Sequence, residues 1–170
     1  RLREYAGAEV RARINGAHEA KEEAATAATA ISSTISVPAP LGLVYRPFQL
    51  AGIEFMAARS ATLLADAMGL GKSVQALGLI NYDTSLRAVL IICPASLRIN
   101  WKREAGKWLV RPLTVGIATS SHVPATDIVI CNYDILSRLK VELSARQWDL
   151  LIADESHMVK SASAQRSKAL

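Results

Sequence analysis

Two clusters of residues in this chain have the types and spacing needed for phosphate chemistry. The first is "GLGKS", Gly69 to Ser73, inside "LLADAMGLGKSVQAL". Nucleotide phosphates need inward-pointing backbone N–H groups, the positive end of a helix and a cation over the outer phosphates. Gly69 and Gly71, with Leu70 between them, permit close backbone approach. Lys72 can reach the β- and γ-phosphates, and Ser73 has the hydroxyl expected on Mg²⁺. The stretch departs from G-x-x-x-x-G-K-[ST] because Asp66 stands at the first glycine position. By itself it also reads as an ordinary glycine-rich turn that caps a helix.

The second cluster closes "DLLIADESH", residues 149–157. An apolar strand delivers Asp154 and Glu155 at its C-terminal end, where open α/β sheets hold their ligands. Phosphoryl transfer to water needs an acid to hold Mg²⁺ and a group to orient or deprotonate the attacking water. Asp154 suits the first role and Glu155 the second, and His157 would sense or relay the nucleotide state. Alone, two acids at a strand end are also plain helix N-caps, and a single His is also a surface or satisfied core residue. Together the clusters are much more specific for a nucleotide bound with Mg²⁺ and hydrolysed than either is alone.

Both clusters need a sheet to position them. "ATLLAD" reads as the strand before the loop, and Lys72 to Asn81 as the helix after it. "RAVLIIC", "LTVGIA", "DIVIC" and "DLLIAD" read as further strands. "SLRINWKREAGKWL" reads as a helix with Leu97, Trp101, Ala105 and Trp108 on one side, and "YDILSRL" as a short one. Strands that are apolar throughout imply burial on both faces, and alternating strand–helix units imply a parallel sheet. "YRPFQLAGIEFMAAR" reads as a helix with Pro47 in its first turn and Phe48, Gly52, Phe55 and Met56 on one face. The last dozen residues read as helix, as do residues 1–31, rich in Ala, Glu and Arg. "ISSTISVPAPLG" between breaks the pattern, which places a linker at 32–42 and an α/β domain at 43–170.

Apolar residues make up 51% of the 170, enough for a packed core. No window approaches the ~18 uninterrupted apolar residues that span a bilayer. "RLREYAGAEV" lacks a methionine and the apolar centre of a secretory signal, so the chain is expected to be a soluble piece of something longer. Cys93 and Cys131 lie in strand-like runs and are expected as buried thiols, with no structural metal. Residues 1–40 carry five Lys/Arg and five Glu; residues 41–170 carry fifteen Lys/Arg and ten Asp/Glu, which accounts for the net charge of +5. A basic body suits a polyanion but is weak support alone. Arg98, Lys102, Arg103 and Lys107 flank Trp101 and Trp108, yet the Trp spacing of seven favours core packing over base stacking.

"RPFQLAGIEFM", "LLADAMGLGKSVQAL", "VLIICPASLRINWKREAGKW", "IVICNYDIL" and "LLIADESHMVKSASAQRSKAL" occur in this order. They resemble the Q motif and motifs I, Ia, Ib and II of superfamily-two helicases of the Swi/Snf type. The family's usual motif I, "DEMGLGKT", accounts for Asp66. The "DESH" form of the DEAH box most resembles the annealing-helicase branch and its bacterial and phage relatives. The resemblance covers about 41–170 and implies an α/β, parallel-sheet RecA-like lobe of the P-loop type, preceded by an N-terminal helical segment. It implies that Gln49, helped by Arg46, reads adenine. By the same likeness Gly69, Leu70, Gly71, Lys72 and Ser73 hold the triphosphate, Ser73 and Asp154 hold Mg²⁺, Glu155 is the catalytic acid, and His157 couples nucleotide state to the motor. "CPASL" and "NYD" resemble segments lining a DNA groove, with Pro94, Ser96, Asn132 and Tyr133 as the named positions.

Ala67 replaces the family's Glu, which implies weaker tuning; Ser73 replaces Thr and keeps the hydroxyl. Motif III and the second RecA-like lobe, with its arginine fingers, are absent from these residues. In the family a strand following motif II sits between the phosphate-loop strand and the acidic strand. The 170 residues alone are therefore expected to fold poorly and to hydrolyse ATP negligibly. The expected partner is double-stranded or branched DNA, contacted mainly through phosphates, with no membrane. The expected location is the cytoplasm for a bacterial or phage protein and the nucleus for a eukaryotic one. Two alternatives remain at this point: a strand-separating DNA or RNA helicase, including restriction-type motor subunits, and a nucleotide-binding module without motor activity.

Overall fold

The computed structural model describes residues 33–64 and 69–155. The helix expected over 1–31, the one expected after the acidic strand, and Asp66, Ala67, Ser156 and His157 lie outside the described residues. The elements are helix α1 (Pro47–Ala57), helix α2 (Lys72–Tyr82), strand β1 (Val89–Cys93), helix α3 (Arg98–Trp108) and strand β2 (Val115–Ile117). They continue with strand β3 (Ile128–Asn132), helix α4 (Leu136–Ser144) and strand β4 (Leu150–Ala153). Short 3₁₀ turns, Ala95–Leu97 and Tyr133–Ile135, lead into α3 and α4.

The four strands form one parallel sheet in the order β2-β3-β1-β4. Val89 lies opposite both Ile128 and Leu150, so the three longer strands start level and end at one edge. Every residue of β1 and β3 is buried, the physical reason that "VLIIC" and "IVICN" do not alternate with polar residues. Alternate side chains serve two cores. Val89, Ile91, Cys93, Ile128 and Ile130 pack with Ile53, Leu77, Ile80 and the α3 residues Trp101, Ala105 and Trp108. Leu90, Ile92, Val129 and Cys131 pack on the other face with Leu136, Leu139 and Leu143 of α4. Each fully buried Ile or Leu contributes about 2 kcal/mol from removing apolar surface from water, as an upper estimate.

Three readings differ from the structure. Residues 61–64 of the expected "ATLLAD" strand have no regular structure. A strand needs a neighbour about 4.8 Å away to take its hydrogen bonds, and the strand that the Swi/Snf likeness puts between this segment and β4 is not among the described residues. β4 accordingly has its apolar side chains half-buried to exposed, with Leu151 51% exposed. The face of α1 is also rotated. Gln49, Ala51, Gly52, Ile53 and Met56 are its buried residues, and Phe48 and Phe55 are half-buried. The Phe55 ring instead carries the Arg59 guanidinium 3.8 Å from its centroid.

The stretch read as a linker has no helix or strand over residues 33–40, yet it lies on the core. Ile35, Val37 and Ala39 pack against it at every second position. Ser33 and Thr34 donate to the Glu54 carboxylate at 2.7 and 2.9 Å. Asn81, 1% exposed, joins this strap to two helices. Its Nδ2 lies 2.7 Å from the Trp108 carbonyl, 3.0 Å from the Tyr45 hydroxyl and 3.3 Å from the Pro38 carbonyl, and its Oδ1 accepts from the Val110 amide at 3.1 Å.

Two carboxylates tie loops to the sheet. Asp127 accepts the Thr114 amide and hydroxyl at 2.7 and 2.6 Å, and Asp149 accepts the Arg87 and Ala88 amides, both at 2.8 Å. The Thr114 hydroxyl and amide hold Asp127 below its ordinary pKa; the Ala88 and Arg87 amides do the same for Asp149. A depressed folded-state pKa gives stability that is present above the unfolded value, about 3.9, and lost as pH falls through the folded one. Stability is therefore expected to drop below about pH 4. In urea titrations at pH 3 and 7, Asp127→Asn with Asp149→Asn should narrow the difference between the two midpoints. An unchanged difference would refute this.

Candidate functional site

Gly69 and Gly71 adopt φ of 87° and 78°, the left-handed region that glycine enters without strain. Gly71 is also the N-cap of α2, and a Cβ there would lie 2.6 Å from Gln49 Nε2. The first bond of the helix runs from the Gln75 amide to the Gly71 carbonyl at 3.0 Å. The amides of Ser73 and Val74 thus lie ahead of the helical ladder, at the positive end of α2. Lys72 and Ser73 stand in that first turn.

The loop faces the acids. Lys72, Ser73, Trp101, Asp154 and Glu155 line one cleft of about 410 Å³, together with Thr62 and apolar side chains of α1, α2, residues 63–64 and β4. It runs along β4 from Leu150 to Ala153 and reaches Asp154 and Glu155 where the chain leaves the sheet, the end at which parallel sheets hold their ligands. The Asp154 amide still continues the ladder, donating to the Ile92 carbonyl at 2.8 Å. Glu155 has φ 53°, a left-handed conformation rare outside glycine and met at functional sites.

Gln49 reaches the loop from behind. Its Nε2 donates to the Leu70 carbonyl at 3.2 Å, and its Oε1 accepts the Arg46 amide at 3.0 Å. An amide has two N–H donors and two lone pairs, so a second donor and a second acceptor site remain on Gln49. Arg46 is exposed at the start of α1.

Pro94 and Ser96 lie just past β1, half-buried and exposed respectively. Asn132 ends β3 and Tyr133 opens the turn after it, beside them but turned inward, 4% and 2% exposed. The Tyr133 hydroxyl donates to the Asp154 carbonyl at 2.8 Å, and Asn132 Nδ2 donates to Asp134 at 3.4 Å. A polyanion along this edge would meet Ser96 and backbone, not these two side chains. Burial, then the Asp154 charge, pushes the Tyr133 hydroxyl up to about 12, so it stays a donor. Burial likewise pushes the Cys93 thiol up to about 12 and the Cys131 thiol up to about 11.

One site residue was not legible as such. Trp101, read as core, is core, but its indole N–H donates to Asp154 Oδ2 at 2.8 Å. The signal available in sequence was general: a buried Trp needs a partner for its N–H.

A parallel sheet, a left-handed glycine loop opening a helix and two acids across one cleft together define a phosphate-loop lobe of the RecA-like type. Residues 48–170 match the SNF2-related domain, and the chain belongs to that family. It is 35% identical over 128 residues to the Bos taurus SWI/SNF-related matrix-associated actin-dependent regulator of chromatin subfamily A-like protein 1, covering 72% of this chain and 14% of that protein. It is 33% identical over 135 residues to the Mus musculus DNA annealing helicase and endonuclease ZRANB3, covering 73% of this chain and 13% of that one. The Sulfolobus solfataricus SWI2/SNF2 ATPase core in complex with dsDNA superposes with a TM-score of 0.69 at 26% identity, covering 81% of this chain and 31% of the other. The chain thus spans about a seventh of the length of those two relatives. Among the described residues no helix is long and apolar enough to cross a membrane.

Proposed function

We propose that this lobe binds ATP with Mg²⁺, and that the protein carrying it hydrolyses ATP to translocate on double-stranded or branched DNA, with remodelling or strand rewinding as the output. The observation that supports this best is that Lys72, Ser73, Asp154 and Glu155 line one cleft. The left-handed glycines and the α2 N-terminus fit a triphosphate, and a hydroxyl and a carboxylate across the same cleft fit a hard, oxygen-ligated cation. Ser73 and Asp154 would hold Mg²⁺, which supplies neutralising charge to the β- and γ-phosphates when bound.

Lys72 adds positive charge at the outer phosphates. Glu155 orients the attacking water and takes its proton. The spare donor and acceptor of Gln49 suit the adenine edge. His157, outside the described residues, is proposed to couple nucleotide state to the motor. Arginine fingers from a second lobe would complete the site, a contribution of about 10³–10⁵ in rate in related chemistries. DNA is contacted mainly at phosphates along the edge carrying Pro94 and Ser96, which gives weak sequence preference and steep salt dependence. The work is then done where the DNA is, in the nucleus or a bacterial cytoplasm.

The test is ATP turnover by the whole protein with Mg²⁺, with and without duplex DNA, at two salt concentrations. Turnover stimulated by duplex and weakened by salt is expected. Nucleotide bound without turnover under any condition would leave a binding module. Strand separation at a fork without triplex displacement would instead make the protein an unwinding helicase.

A further inference from the structure

Asp154 is held at three points by three elements. Its amide bonds to β1, its carbonyl takes the Tyr133 hydroxyl, and its Oδ2 takes the Trp101 indole N–H. The first continues the sheet and the second satisfies a buried phenol. The third is different in kind, because it fixes the side chain. A carboxylate turns easily about its last torsion, and a charge-assisted N–H bond to one oxygen stops that rotation. We propose that Trp101 is a positioning residue for the cation-holding carboxylate: its indole commits Oδ2 and leaves Oδ1 for the metal.

Trp101 is suited to this in a way Trp108 is not. Both are buried on the same face of α3. Trp101 lines the cleft with Lys72 and Ser73, whereas Trp108 packs its ring on Tyr45, 5.1 Å between centroids. Trp101 also follows the "CPASL" turn, so the segment proposed to face DNA and the segment proposed to hold the metal are joined through one side chain. This role holds only if Asp154 binds the cation as proposed above.

The test uses the whole protein and a fluorescent non-hydrolysable ATP analogue, with binding followed as Mg²⁺ is titrated. Trp101→Phe keeps the aromatic packing and removes the donor. It should raise the Mg²⁺ needed for half-maximal binding about 10-fold or more, the usual effect of losing a partner of a metal ligand. Binding without Mg²⁺ should not change, and Trp108→Phe should leave the Mg²⁺ requirement alone. In an Asp154→Asn background, Trp101→Phe should add nothing further. Equal shifts from the two Trp variants, or an additive loss in that background, overturn the role of Trp101. A wild type whose binding ignores Mg²⁺ overturns the ATP·Mg²⁺ reading itself. One measurement needs no variant at 101. The indole ¹⁵N resonance of Trp101 should move when Mg²⁺ and analogue are added, while that of Trp148, bonded to the Leu143 carbonyl at 2.9 Å, stays. An unmoved Trp101 signal overturns the proposal.

Discussion

Glu155→Gln is expected to leave ATP bound and nearly stop its turnover. The amide matches the carboxylate in shape but cannot accept a proton from water. Loss of a positioned general base costs about 10²–10⁴ in rate. The contacts proposed for the triphosphate, in contrast, come from Gly69 to Ser73, of which Lys72 and Ser73 open α2 and line the same cleft. Affinity for the fluorescent ATP analogue should therefore stay within about threefold, while phosphate release in a single turnover falls by the full factor. Lys72→Ala should show the converse order of events, with weakened binding preceding any loss of rate. Wild-type turnover in the Glu155→Gln protein would remove Glu155 from the chemistry and leave its left-handed backbone without a catalytic rationale.

Asn81→Leu is expected to cost about 3 kcal/mol of stability, although residue 81 touches neither nucleotide nor acid. The Asn81 Nδ2 has two hydrogens for three neighbouring acceptors, and the shorter contacts, to Trp108 and Tyr45, take them. Leucine fills the same volume but orphans the buried Trp108 carbonyl and the partly buried Val110 amide. Each buried polar group left unsatisfied costs about 1–3 kcal/mol. The urea midpoint should fall with the slope unchanged, since the same surface is exposed on unfolding. A midpoint within about 0.5 kcal/mol of wild type would show that water or a rearranged strap replaces those bonds.

These two residues mark what was legible in the sequence. The place of Glu155 was read directly, because a strand end is a local pattern, and the chemistry proposed for it follows from residue type. The parallel order of apolar strands was equally plain in "VLIIC" and "IVIC", where unbroken burial leaves no polar position. Asn81 looked like the polar end of a helix, and nothing nearby tells that it meets Pro38, Tyr45 and Trp108. Trp101 was legible as core and illegible as a donor to Asp154, 53 positions away. "ATLLAD" has strand composition, but composition does not supply the neighbour a strand must pair with. The strap was read as a linker over 32–42 from its Ser, Thr and Pro content, while its packing rests on the alternating Ile35, Val37 and Ala39 among them.

The two cysteines make the sheet its own reporter. Cys93 and Cys131 sit one register step apart on neighbouring strands, and so they point to opposite faces, one into each core. No disulfide can join them across the sheet, and neither thiol is ionised near neutrality. Alkylating reagents, which need a thiolate in contact with solvent, can enter only when the layer over that face lifts away. Labelling at 93 therefore times the departure of α1, α2 and α3, labelling at 131 that of α4, and the order of the two gives the sequence in which the lobe comes apart.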